Sequence, residues 1–587
     1  MASACSSPKS VFDPGSDAGG DSAAIDDTGV SFIDALADKD SGKPGTCDTS
    51  CTTAGGTCVA GVCTIIDNPG NVDPTIQAKL KAGGTSDAQF AWLYPYDKTI
   101  FPRGLLPPSM QFGGSSATAE YVHLTSPTLD YQGFYSTKTG PLAFALTAKA
   151  WSAITNAVGA KDALKVEITK QLGLSITGPI SETWGVAQGS LRGTIYYETY
   201  DSQLAGGLGS VGIMKIKPGT AAPPVVIKSG CGNVCHTASA DGSTLVASTS
   251  LGTSSSYDLK NNASTIMAQG DESFTYGGIY PNGSILMSST HYRTWFPGNV
   301  SRLYDVKTGS VIPAPGWDGV IKNGGTPAFS PDGKRLAFVR EDATQGHSLG
   351  LFDFDFSTKK FTNQQLLATD NSFFLAWPAF TPDNKWVVYH AGSNAQFETD
   401  ANAVGDLFVA DVATHTSHRL DALDGYTANG NYLPANDPAL SFAPTVLPEA
   451  VGGYFWVVFT SHRSYGNTLP SKDNNDVYGK LWVAALDANG ASGADLSHPA
   501  FYLDGQETKA DNLRGFWVLD PCKQDGASCA SGDECCNGFC RGGADGGLVC
   551  VPPPGGCSNE FEKCTQAADC CNPADQCING HCAFIPN

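Results

Sequence analysis

Positive charge is scarce in this chain: 36 Lys and Arg stand against 57 Asp and Glu, a formal net charge of −21 over 587 residues. That balance excludes a nucleic-acid surface, because phosphate contacts need basic side chains. It also disfavours adsorption to anionic lipid, and its ordinary consequence is solubility. No apolar run approaches the ~18 residues that a membrane-spanning helix needs. No export signal is visible at the N-terminus, and long amphipathic helices are hard to find. Common enzyme signatures are missing as well. There is no G-x-S-x-G elbow, no H-E-x-x-H, no P-loop and no G-x-G-x-x-G ahead of a helix.

What is present is turn punctuation and strand-forming text, with 67 Gly, 35 Pro, and apolar runs rich in aromatic and β-branched residues. This composition predicts an all-β protein of about three or four domains. Thr326–Val339, TPAFSPDGKRLAFV, reads as a short strand, a Pro-Asp-Gly turn and a second strand. The same sentence recurs at Trp377–His390 and, more loosely, at His236–Ser248 and Gly277–Ser289. Its turn residues Asp241, Asn282, Asp332 and Asp383 are 41, 50 and 51 positions apart. A strand-only period of roughly 40–50 residues is the mark of a β-propeller. The four copies resemble the SPDGKRLAFV signature of TolB-like propellers, a likeness that is specific for fold and not for function.

Taken in order, residues 1–46 are Asp/Ser/Gly-rich and predict a disordered tether. Cys5 follows small residues, as at the mature end of a bacterial lipoprotein, so it carries either a lipid or an incidental thiol. Residues 47–66 hold Cys47, Cys51, Cys58 and Cys63, read as a small knob of two disulfides, with a four-cysteine zinc site as the competing reading. Residues 85–189 alternate in the manner of an immunoglobulin- or fibronectin-like β-sandwich, with Trp151 as its core anchor. Residues 190–519 form the propeller, expected to have six blades. The leftover segment Leu513–Leu519 is predicted to supply the missing inner strand of blade one and close the ring.

The last 66 residues contain twelve of the 19 cysteines. Residues 522–552 read C-x6-C-x5-C-C-x3-C-x9-C and residues 557–583 read C-x6-C-x5-C-C-x5-C-x4-C. Spacing alone leaves fifteen pairings open for each set. Both resemble inhibitor-cystine-knot (knottin) modules. That resemblance implies first-to-fourth, second-to-fifth and third-to-sixth bridges: Cys522–Cys536, Cys529–Cys540 and Cys535–Cys550, then Cys557–Cys571, Cys564–Cys577 and Cys570–Cys582. Such short units hold together through their bridges, and serve as binding heads or as protease-resistant caps. So many cysteines call for an oxidising compartment.

Cys231 and Cys235 remain, followed directly by His236. C-x-x-x-C-H is one residue longer than the covalent c-type haem motif. A haem on Cys231, Cys235 and His236, a Cys231–Cys235 disulfide, and another metal are all open readings. Propeller geometry predicts His236 at the channel mouth, on the face shared by His291, His390 and His462, which gives a candidate metal set. A carboxylate pair of glycosidase type in the channel, and calcium near Asp473 and Asp476, are lesser alternatives. The domain order, with YPYDKTIFPRGLLPP, RGTIYY and RGFWVLDPC, resembles exported myxobacterial propeller proteins. The expectation is therefore a non-enzymatic extracellular or outer-membrane lipoprotein that binds a surface protein or glycan through its channel face. The alternative is a single-haem electron-transfer protein.

Overall fold

The computed structural model describes residues 47–584 except 137–142, 230–235, 251–252, 262, 270–273, 275, 290–299, 395–402, 435–436, 469–477, 521–522, 530–534, 536, 538, 543–546, 554–555, 559–561, 572–574 and 579–580. Six four-stranded antiparallel sheets dominate it. The inner strands of blades two to six are Thr237–Ala238, Gly278–Ile279, Gly324–Phe329, Phe374–Phe380 and Ser441–Val446. Blade one is assembled from both ends of the propeller. Asp511–Val518 is its inner strand and pairs with Thr194–Tyr200, which continues into Val211–Ile216 and Val225–Ser229. Each inner strand touches the next, and the sixth returns to the first, so the ring is closed. Closure leaves no inner edge open for stray pairing.

A Ser/Thr-x-Asp turn in blades two, four and five explains why the sentence repeats. In blade four, Asp332 Oδ1 accepts from Ser330 Oγ at 2.6 Å and from the Lys334 amide at 3.0 Å. Gly333 takes φ +68°, and the Arg335 amide returns to Ser330 Oγ at 2.9 Å. Blade five repeats this lock with Thr381, Asp383 and Trp386, Asn384 taking the left-handed position at φ +59°. Asn, Asp and Gly are the residues that tolerate such a turn.

The N-terminal module consists of a seven-stranded and a three-stranded sheet. Strand order in the larger is Thr57–Val59, Val62–Asp67, Leu129–Tyr135, Ala119–Ser126, Leu164–Leu172, Ser175–Ser190, Ile100–Arg103. Two of its pairs are parallel, a departure from purely antiparallel immunoglobulin sheets. One of these places Val62–Asp67 beside Leu129–Tyr135, so the cysteine-bearing segment extends this sheet instead of standing alone. Its sulfurs are joined as Cys47–Cys58 and Cys51–Cys63, which removes the zinc reading. Trp151 is fully buried, as expected, but it rides on a helix, Ala148–Ala157. Thr147 caps that helix through the Ala150 amide, and its alanine content favours the conformation.

The tail forms two disulfide-rich modules. The five described bridges, Cys529–Cys540, Cys535–Cys550, Cys557–Cys571, Cys564–Cys577 and Cys570–Cys582, pair as the resemblance implies. The pair expected at Cys522–Cys536 lies outside the described residues. Each module's buried cluster consists of its own cysteines, so sulfur replaces a conventional core.

Candidate functional site

The inner strands are not regular. Pairing slips between Gly325 and Ala328 in blade four, between Ala376 and Ala379 in blade five, and between Phe442 and Thr445 in blade six. In blade one it slips between Leu513 and Phe516. Each slip leaves out two residues, the first of them left-handed: Thr326 at φ +36°, Trp377 at +55°, Ala443 at +47° and Arg514 at +43°. Tyr276, just before the blade-three strand, takes φ +54°. Non-glycine residues pay roughly 1–3 kcal/mol for such backbones, and a bulge re-aims its side chain.

A side chain holds each displaced amide. Thr326 N–H donates to Ser289 Oγ at 2.8 Å, and Trp377 N–H donates to Thr326 Oγ1 at 3.1 Å. Ala443 N–H donates to His390 Nδ1 at 3.2 Å, and Arg514 N–H donates to Thr460 Oγ1 at 2.7 Å. His236 N–H likewise donates to Glu198 Oε1 at 3.0 Å. The strained amides of Thr326, Trp377, Ala443 and Arg514 are therefore each held by a side chain, and these contacts form a polar collar along the inner strands.

Inside the collar lies a cavity of about 110 Å³ walled by all six blades. Its walls are largely proline, aliphatic and aromatic, including Pro327, Pro378 and Pro444. Among the described residues lining it, Arg514 is the one charged side chain. Arg514 is only 5 % exposed, and its guanidinium stacks 3.6 Å above the Trp377 ring and 5.2 Å from that of Phe516. Tyr276 packs edge-on to Trp377 at 5.2 Å. Three buried donors here have no acceptor: Arg514 Nη1, Trp377 Nε1 and Thr237 Oγ1. Buried polar groups are ordinarily paired, so three such donors at one cavity need an explanation.

A wider groove of about 730 Å³ lies between blades four and five, on the side of the Ser/Thr-x-Asp turns. It is rich in aspartate, yet those carboxylates already serve the turns or, for Asp353, accept from Asn363 and pair with Arg335. Asp355 accepts from Ser357 and Thr358, which hold its carboxyl down at about 2, and Asp411 accepts the Ala413 and Thr414 amides.

The sequence-predicted residues fare unequally. Cys231, Cys235 and His291 lie outside the described residues, as do Cys5, Asp473 and Asp476. His236 is fully buried at the start of blade two, its Nδ1 3.6 Å from Glu198 Oε1 and neither ring nitrogen hydrogen-bonded. His390 lies within its strand and, through Nδ1, holds the blade-six bulge. His462 follows its strand and packs edge-on to Phe442, as does His390. Among the described residues, no cluster of three metal-ligating side chains includes any of these histidines. Arg514, Trp377 and Tyr276 are the residues that sequence reasoning missed. The one signal was an Arg-Gly step interrupting the otherwise apolar segment Leu513–Leu519.

No family model and no curated protein matches the chain. Among solved structures, the chain is similar to TolB from Acinetobacter baumannii, at 12% identity over 61% of this chain and 80% of that one, with a TM-score of 0.36. It is also similar to a putative TolB from Agrobacterium tumefaciens, at 14% identity over 57% and 93% of the two chains, with a TM-score of 0.30. A hydrazine synthase from Kuenenia stuttgartiensis follows at 15% identity over 47% and 67%, with a TM-score of 0.27. Likeness at this level carries no functional argument.

Proposed function

We propose that this chain is an exported, non-enzymatic binding protein of the bacterial surface that receives a group of a protein or glycan partner in its propeller channel. One observation carries the reading: strained, collared inner strands surround a cavity whose buried donors have no acceptor. Strain of this kind clusters where a ligand is gripped. Seven described disulfides support an oxidising, extracellular setting. The tail modules serve as binding heads or protease-resistant caps, and Cys5 carries the anchoring lipid.

Ala379 faces the cavity, so Ala379→Trp fills it. In a thermal-shift and native-mass-spectrometry screen of surface glycans and peptides, wild-type protein is expected to bind members that Ala379→Trp does not. Equal behaviour of the two proteins across the screen sinks the channel reading. The haem reading keeps one supporting observation, the unbonded ring nitrogens of His236. Its test is a Soret band that survives acid-acetone extraction of the exported chain; a colourless protein ends it.

A further inference from the structure

We infer that the channel takes a carboxylate borne on an apolar body, with Arg514 as its counter-ion. This deepens the channel reading and rests on it. A guanidinium keeps its charge in a protein however deeply it is buried. A buried cation without a partner costs several kcal/mol, and the face of Trp377 returns only about 0.5–2 kcal/mol of that. No described carboxylate forms an ion pair or hydrogen bond with the guanidinium, and Nη1 is buried without an acceptor. Among the described residues, none supplies the anion, which leaves the place open to one borne by a ligand.

Charge and shape narrow its chemistry. One cation in an otherwise uncharged lining balances one negative charge, which fits a monocarboxylate better than a dianionic phosphate. The guanidinium carbon lies 3.6 Å from the Trp377 ring centroid, Arg514 lines the cavity, and a guanidinium carries its N–H donors along its planar edge. That edge matches a carboxylate's two oxygens in the bidentate fork. The proline and phenylalanine walls around the arginine suit an apolar body behind the carboxylate. Such a carboxylate belongs either to a free aromatic or aliphatic acid or to the C-terminus of a peptide.

Isothermal titration of the full chain, in buffer free of carboxylates, tests this with benzoate, benzamide, acetyl-phenylalanine, its amide and inorganic phosphate. We expect saturable binding of benzoate or acetyl-phenylalanine, with the matched amide at least tenfold weaker. Binding of benzoate points to a free acid, and binding of acetyl-phenylalanine alone points to a peptide terminus. Arg514→Gln should weaken the acid on the order of 10- to 100-fold, the value of a charged hydrogen-bonded pair. Arg514→Lys should recover part of it. The ligand-free Arg514→Gln protein should melt no lower than wild type, because it loses an uncompensated charge. Several outcomes overturn the assignment: equal binding of acid and amide, no loss in Arg514→Gln, phosphate as the one ligand, or a ligand-free variant that melts clearly lower. If Ala379→Trp abolishes ligand binding while Arg514→Gln changes none of it, the channel reading stands and the carboxylate falls. If benzoate binds Ala379→Trp unchanged, both fall.

Discussion

Burial decides what a side chain can do here more than its type does. Glu341 follows the second strand of blade four and is 5 % exposed, with neither carboxyl oxygen hydrogen-bonded. It fits because Gly325 has no side chain: a Cβ there would lie 2.9 Å from Glu341 Oε1. Burial, helped by neighbouring Asp342, raises its carboxyl from an ordinary 4.5 to about 7. The folded chain therefore keeps a proton that the unfolded chain releases between those values. Its stabilising contribution is complete below pH 4.5 and is lost as pH rises through 7, a swing of about 3 kcal/mol at most. Glu341→Gln should flatten that part of the profile. Guanidinium unfolding at pH 5 and pH 8 measures it, and an unchanged pH dependence in the variant removes Glu341 as the cause. His390 follows the same logic. A histidine that read as a metal ligand is fully buried, and its Nδ1 accepts the amide of a strained residue.

At the scale of elements, the closing strand matters most. Leu513, Trp517 and Val518 are buried, each contributing roughly 1.5–3 kcal/mol, and Arg514 comes with them. Just past the strand, Asp520 accepts from Thr194 Oγ1 and pairs with Lys217, which clamps the two ends of the propeller together. A chain ending at Asp520 should keep the propeller's cooperative urea transition. One ending at Lys509 should lose most of it, because Thr194–Tyr200 then becomes an open inner edge. Indistinguishable transitions would show that the ring is closed by something else. The tail modules are a different kind of element. Bridges closing loops of 11 to 15 residues stabilise them by about 3 kcal/mol each, and Arg541 joins the two modules through a bidentate pair with buried Glu562.

For the molecule as a whole, the N-terminal module and the propeller share one apolar core. Tyr94 and Tyr96 carry the junction. Tyr94 meets Tyr465 edge-on at 4.8 Å and accepts the Tyr502 amide at 3.1 Å, while Tyr96 stacks on Trp482 at 6.2 Å. Aromatic-to-alanine changes in such a core cost about 3–5 kcal/mol. Wild type should melt in one transition, and Tyr94→Ala/Tyr96→Ala should melt in two and expose the junction to limited proteolysis. A single transition, merely shifted, would mean that the two bodies are coupled elsewhere.

The turn sentence determined the propeller, because its hydroxyl–aspartate lock is local and survives as spacing in one dimension. Leftover Leu513–Leu519 likewise foretold closure, since six blades of four strands lacked one strand. The cysteine spacing carried the tail through its resemblance to known modules. The candidate site was not legible. Arg514, Trp377 and Tyr276 are separated by up to 238 positions in sequence and meet only because the ring brings inner strands of different blades together. Nor does any local pattern disclose that a guanidinium is buried with no counter-ion among the described residues, or that a histidine serves a neighbouring blade's backbone. Such facts belong to packing between distant segments, and the closed ring alone decides them.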